Sequence, residues 1–377
     1  LGHRRISVGE LALGTVLAWD AYDEHGRLLL KQGQTIVSAS QVEGLIERGL
    51  YTATDLMRER PRLPEPVIPT TTSAVALILD ARQRLQLACS PNGSKDRFAE
   101  HILHIRALIR EACLLGKDAA LAMTLLHRVG RYSIRHSVDT AIAVEVVGGA
   151  AGCNEPELSS AVAAALTMNV SMLQLQDDLQ AQEEALTDAQ RELIKKHPES
   201  GAAFLRSCGV ADEVWVKAVE CHHEAIDGSG YSGTSGDEIP LAAQLVSLAD
   251  IYCARISSRD YRAPLRPNQA LRALFLDQSK KVREGLAHQF IKAIGIFPSG
   301  TPVRLNNGEI AVVTGSGENV KAPHVCAIIG CDGMPLRTPV RRDTSQAPCG
   351  VREVVSWSEL GAPPSMQSIF GKVAALN

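Results

Sequence analysis

The sequence predicts a mainly α protein: a helical bundle with a small N-terminal α+β module and a C-terminal β extension. Three observations predict it. From about Ala74 to Ala293, apolar residues recur at the roughly 3.6-residue period of a helix. Strand patterns with glycine turns are confined to the two ends of the chain. Aromatic residues are 4% of the whole, so the core rests on Leu, Ala, Val and Ile, which suits packed helices.

In chain order, residues 1–58 read as a small module. Ile6–Gly9 and Leu13–Trp19 are short strands, and Gly26 marks a hairpin turn. Ser38 is placed to cap a helix over Ala39–Arg48, with Val42, Leu45 and Ile46 facing inward and Gly49 as its stop. The module holds no cluster of ligand-type side chains and reads as regulatory or dimerising, so a homodimer is expected. Residues 59–73 are a linker: RPRLPEPVIPTTTS carries four prolines in fourteen residues and cannot continue a helix.

Residues 74–294 form the all-α domain. Its expected helices are Ala74–Leu87, Phe98–Leu115, Ala119–Leu126, Ser133–Gly148, Glu155–Leu175, Asp188–Cys208, Asp212–His222, Ile239–Ser257, Pro267–Leu276 and Val282–Ile294. Pro198 suggests a break inside the sixth. Residues 295–377 are the β extension and tail. Val303–Leu305 and Ile310–Thr314 flank the hairpin turn Asn306-Asn307-Gly308, and Val325–Ile329 and Val351–Trp357 are further strands.

Composition excludes several function classes. The 377 residues carry a net charge of −3, with no bulk pull toward nucleic acid polymers or acidic membranes. No run of about 18 apolar residues predicts a membrane span. Nine scattered cysteines, none in a CxxC pair, argue against a disulfide framework and a zinc ribbon and favour the cytoplasm. The start, LGHRRISVGE, lacks an apolar signal core and a Met, as in a chain trimmed at its N-terminus.

The ligand-type residues gather in the helical domain. His222 and His223 end an apolar helical pattern, and Asp227-Gly228-Ser229-Gly230 then forces a turn ahead of Tyr231 and Ser232. His136 stands near the start of one helix, His197 lies in KHPESG, and Asp250 lies within LAAQLVSLAD. Each alone has a dull explanation as a capping or solvated residue. Four imidazoles and a carboxylate on successive helices of one bundle are a metal-site pattern, because bundles build such sites from facing helices. Tyr231 is suited to stack on a base, and Arg259 and Arg262 to clamp phosphates, against the ordinary alternative of surface ion pairs.

The order and spacing of these residues resemble the HD-GYP family of metal-dependent phosphohydrolases, which implies an HD-type helical bundle. The likeness runs from about Arg131 to Arg262. HHEAIDGSGYSG is close to the family's HHExxDGxGYP, ADIYCARISSRDYR to its ADxYDALTSxRPYR, and KHPESG to its HP-x-x-G. The resemblance implies cyclic di-GMP as substrate, hydrolysed with two or three iron or manganese ions bridged by water or hydroxide. It places Arg259 at the nucleotide phosphate.

The departures decide the expectation. Thirty-two residues beyond His136, where the family carries its name-giving His-Asp pair in ALLHDIGK, this chain reads AALTMNVSM. Met168 stands for His, Asn169 for the bridging Asp, Ser171 for Gly and Met172 for Lys. Ser232 replaces the proline of GYP, Tyr132 the Glu of three-metal members, and Cys253 the residue found three places after the metal-binding Asp. A two-ion hydrolase needs an anion to bridge two cations about 3.5–4 Å apart and to lower the pKa of their shared water. Asn is neutral, Met is a soft ligand ill matched to Mn²⁺ or Fe²⁺, and Met172 removes a cation from the phosphate. The expected protein binds rather than cleaves. It holds one divalent metal, iron or manganese, or none, and it senses cyclic di-GMP or a related cyclic dinucleotide. Or it pairs with a signalling protein through the loop of Asp227, Gly228, Gly230, Tyr231 and Ser232. The alternative is an active phosphodiesterase with a rearranged metal centre.

Overall fold

Ser73 opens the first helix of the bundle, its hydroxyl accepting from the Ala76 amide at 3.1 Å. A computed structural model describes residues 73–90, 93–257, 264–360 and 364–375; within the first 52 residues it describes 3–5, 20–23, 25, 27–31, 34, 45 and 50–52. The chain divides into two compact units, Leu1–Pro69 and Thr70–Asn377.

In the first unit, β1 (His3–Arg5), β2 (Ala21–Tyr22), β3 (Leu28–Leu30) and β4 (Leu50–Thr52) form an antiparallel sheet in the order β1-β4-β2-β3. Asp23 shapes the β2–β3 connection by accepting from the His25 and Arg27 amides. Leu45 is helical and buried. The strands expected at Ile6–Gly9 and Leu13–Trp19, the Gly26 turn, the Ser38 cap and most of the proline-rich linker lie outside the described residues.

The second unit begins with α1 (Ala74–Ala88), α2 (Phe98–Leu126), α3 (Tyr132–Gly148) and α4 (Glu155–Thr167). It continues with α5 (Leu173–Ala181), α6 (Asp188–Ser207), α7 (Glu213–Cys221), α8 (Leu241–Ile256), α9 (Pro267–Gln278) and α10 (Leu286–Ile294). Side-chain caps start several of them: Asn154 with Glu157 for α4, Thr187 with Gln190 for α6, and Asp212 for α7. One core cluster made mostly of Leu, Ile, Val and Ala joins these helices around Phe98, Trp215 and Phe290. Arg82 of α1 and Asp139 of α3 form an ion pair at 2.7 Å inside it. No helix among the described residues is long and apolar enough to cross a membrane.

The two segments expected at 98–115 and 119–126 are the two halves of α2, separated by a kink where Gly116 leaves helical angles, as the periodicity has it. The single helix expected over Glu155–Leu175 ends at Thr167, and the chain turns through 168–172 before α5. Asn169 and Ser171 suit that turn, since short polar side chains compete with the helix for backbone hydrogen bonds. Pro198 does not break α6, which runs through it.

The C-terminal strands β5 (Pro302–Leu305), β6 (Ile310–Gly315), β7 (His324–Ile329), β8 (Pro335–Asp343) and β9 (Val351–Val354) form an antiparallel sheet in the order β8-β7-β6-β5-β9. The β8 strand escapes sequence reading because it is an edge strand: PLRTPVRRD lacks apolar alternation and is largely exposed. Val312 and Cys326 of the sheet pack against Ala122 and Leu126 of α2. The tail, α11 (Trp357–Leu360) and α12 (Met366–Phe370), adds Ile369 to that contact.

Candidate metal and nucleotide site

Helices α3, α6, α7 and α8 carry the candidate ligands, and the turn at 168–172 brings Asn169 beside them. A cavity of about 490 Å³ is lined by Tyr132, His136, Asn169, Met172, His197, His223, Tyr231 and Asp250, with α5 and the residues up to Ile194 as its other wall. Met168 does not line it; it is fully buried in the core. Arg259 and Arg262 lie outside the described residues.

His197, His222 and His223 each place a ring nitrogen within 4.8 Å of the others. Two of the three rings have their tautomer set by the backbone. His197 Nδ1 donates to the Ile194 carbonyl at 2.6 Å, and His222 Nδ1 donates to the Val219 carbonyl at 2.7 Å. A carbonyl only accepts, so both Nδ1 atoms carry hydrogen and both Nε2 atoms present lone pairs when the rings are neutral. Those two Nε2 atoms face each other at 3.1 Å. Burial, and then the neighbouring His223, lowers His197 to about 4 and holds His222 well below the ordinary imidazole range. Neutral rings with converging lone pairs repel unless a cation lies between them. Two nitrogens each about 2.0–2.1 Å from one ion stand about 2.9–3.4 Å apart at coordination angles of roughly 90–109°. The donor set therefore fits one divalent cation, and His223 supplies a third nitrogen.

The close approach of α6 and α7 depends on Gly201, where a Cβ would meet Val219 Cγ1 at 3.1 Å. The turn at 168–172 is tied to the same place: Ser171 Oγ donates to the His197 carbonyl at 2.8 Å. Asn169 is 2% exposed, and its Oδ1 has no hydrogen-bond partner.

His136 and Asp250 are engaged with each other. His136 Nε2 donates to Asp250 Oδ1 at 2.6 Å, leaving His136 Nδ1 buried and unpartnered. Burial alone would raise the Asp250 carboxyl, but this bond and the surrounding imidazoles outweigh it and hold the group below the usual carboxylate range. Tyr132 stacks on His136 with ring centroids 5.5 Å apart. Cys253, one turn beyond Asp250 on α8, is a buried thiol that burial pushes far up.

The loop after His223 is held by Glu224, whose carboxylate accepts from the Ser232 amide at 2.9 Å and the Gly233 amide at 3.1 Å. Glu224 is thus the loop's anchor. Asp227 Oδ1 accepts from the amide and hydroxyl of Ser229, closing a turn that includes Gly228. Gly230 passes so near the anchor that a Cβ would lie 2.5 Å from Glu224 Cα. Tyr231, 39% exposed, stacks on His223 at 4.7 Å.

Sequence reading missed two features. Asp177, which no local motif marks, accepts from the Ser133 amide and hydroxyl and pairs with Arg131, so it caps α3 from a distance. The wall formed by Gln176, Leu179, Gln180 and Ile194 carries no ligand motif; only the break after Thr167 swings it over the histidines.

Residues 119–282 match the family model of the HD domain. The chain is 28% identical over 219 residues to a cyclic di-GMP phosphodiesterase of Pseudomonas aeruginosa, covering 58% of this chain and 53% of that one. It is 27% identical over 200 residues to the cyclic di-GMP phosphodiesterase PdeB of Borreliella burgdorferi, covering 52% of each. The chain spans about half the length of these curated relatives. A solved HDG"Y"P protein from Bdellovibrio bacteriovorus shares the fold, with a TM-score of 0.52 at 16% identity over 78% of this chain and 99% of that one. These matches identify an HD domain over residues 119–282 and support an HD-GYP-type domain there.

Proposed function

We propose that this protein binds a cyclic dinucleotide, of which cyclic di-GMP is the leading candidate, on one divalent cation and leaves it intact. The observation that carries this reading is Asn169: a neutral amide lines the cavity together with His197, His223 and the His136–Asp250 pair. His197, His222 and His223 would hold an iron or manganese ion, whose chemistry there is to attract phosphate oxygens. Asn169 is uncharged, so its side chain cannot serve as the anion that bridges a second ion. Met172 at the cavity wall supplies no charge to a phosphate. The relatives named above as cyclic di-GMP phosphodiesterases support the choice of nucleotide. Tyr231, half-exposed against His223, is placed to stack on a base. The loop of Asp227, Gly228, Gly230, Tyr231 and Ser232 would then present the bound state to a signalling partner.

Anaerobic incubation of the purified protein with Mn²⁺ or Fe²⁺ and cyclic di-GMP tests this, with calorimetry for binding and chromatography for the nucleotide. The expected result is metal-dependent binding of a nucleotide recovered whole. Linear product that vanishes in His222→Ala overturns the reading in favour of a rearranged, active centre. Absence of binding with metal present overturns nucleotide recognition itself.

A further inference from the structure

Pro198 lies in the interior of α6, next to His197, in a helix that continues through it. An interior proline destabilises a helix, through its missing amide hydrogen and its clash with the carbonyl four residues back. Four residues back from Pro198 is Ile194. The Ile194 carbonyl is therefore denied its usual helical donor, and it is the carbonyl that accepts from His197 Nδ1 at 2.6 Å. The same logic recurs at the facing ring. Val219, which accepts from His222 Nδ1 at 2.7 Å, is among the last four residues of α7, where carbonyls run out of intrahelical donors. In both cases an imidazole takes up a carbonyl freed by an interruption of its own helix, three residues back along the chain.

We propose that Pro198 is a positioning residue for His197: by lacking an amide hydrogen it leaves the Ile194 carbonyl to the imidazole, and so turns the Nε2 lone pair toward His222. A hydrogen bond from the non-ligating nitrogen fixes both tautomer and ring orientation of a metal-binding histidine. An ordinary residue at 198 would bring its own amide to Ile194 and compete with Nδ1 for that oxygen. His197 would then be free to carry its hydrogen on Nε2, where it would point at His222 and block a cation. The inference rests on the reading that the three imidazoles hold a cation, but its tautomer consequence does not need the metal.

The test compares the full chain with its Pro198→Ala variant by three measurements. Imidazole nitrogen–proton correlation spectra of the metal-free proteins are expected to show His197 as the Nδ1–H tautomer in the wild type and a shift toward Nε2–H in the variant. Calorimetry with Mn²⁺ alone is expected to show an affinity loss of about tenfold or more. The melting temperature of the metal-free variant is expected to rise, because an interior proline has been removed. A more stable protein that binds Mn²⁺ more weakly separates positioning from a structural role, which would move only the melting temperature. A variant that melts higher but keeps both the wild-type tautomer and its Mn²⁺ affinity overturns the proposal. If the wild type binds no Mn²⁺, the cation reading fails, and the tautomer comparison alone decides the positioning role: a shift upholds it and an unchanged tautomer overturns it.

Discussion

His136 and Asp250, 114 residues apart in sequence, meet at 2.6 Å between α3 and α8, and this bond is the polar link between those helices within the site. It uses one nitrogen of His136 while the other has no partner. Replacing Asp250 by Ala leaves both nitrogens of a buried ring unpaired. The expected cost is about 1–3 kcal/mol, read from urea denaturation of metal-free protein. The same variant asks whether Asp250 also ligates: Mn²⁺ affinity should change far less than in His222→Ala. An equal loss in both would make Asp250 a ligand of the same ion.

Stability should fall on mild acidification. The unfolded chain protonates its histidines near about 6.5, whereas folded His197 resists until about 4, and His222 is lowered too. The unfolded state therefore binds more protons as the pH drops through that window, and the folded state loses ground there. From His197 alone the loss by pH 5 is on the order of 2 kcal/mol. The depressed carboxyl of Asp250 acts lower still: its contribution is whole above its unfolded value of about 3.9 and is lost as the pH falls below it. Urea midpoints of metal-free protein at pH 7 and pH 5 check this, and the drop should shrink in His197→Gln. A drop of the same size in that variant rules out His197 as its source.

Asn169→Asp should add the missing anion. The side chain lies in the cavity with Oδ1 unpartnered, so the change is nearly isosteric. The expected outcome is a rise from one Mn²⁺ per chain to two, or about a tenfold gain in affinity, measured by calorimetry with elemental analysis. Unchanged stoichiometry and affinity would show that Asn169 does not occupy a bridging position.

Gly230→Ala should separate the nucleotide from the metal. The new Cβ would collide with Glu224 Cα at 2.5 Å, and the Tyr231 loop would have to move. Cyclic di-GMP binding should fall at least tenfold while Mn²⁺ affinity falls less, since His197 lies within α6 and His222 at the end of α7, away from the moved loop; a tenfold step corresponds to about 1.4 kcal/mol. Retention of nucleotide affinity would place the base elsewhere.

Much of the candidate site was legible before any coordinates. His222-His223 ahead of a glycine turn, His197 beside Pro198, and Asp250 in an apolar run each carry a local signature, because a helix end or a proline announces itself in a few residues. The replaced pair Met168-Asn169 was legible for the same reason, as a substitution at a fixed distance from His136. Less visible was the use to which each residue is put. Pro198 read as a break, yet α6 runs through it and hands the Ile194 carbonyl to His197. No local motif marks Asp177, yet it caps α3.

By itself the sequence determined the helical class, the candidate ligands and the neutral side chain at 169, because periodicity, capping and charge are properties of short stretches of chain. Tertiary structure alone decided the pairing. It chose which imidazoles converge, set His136 on Asp250, sent Met168 into the core while Asn169 reached the cavity, and laid α5 over the histidines. Those outcomes depend on angstrom-scale distances between residues tens of positions apart. Such distances are set by how helices pack, as at Gly201 against Val219, and no local pattern encodes them.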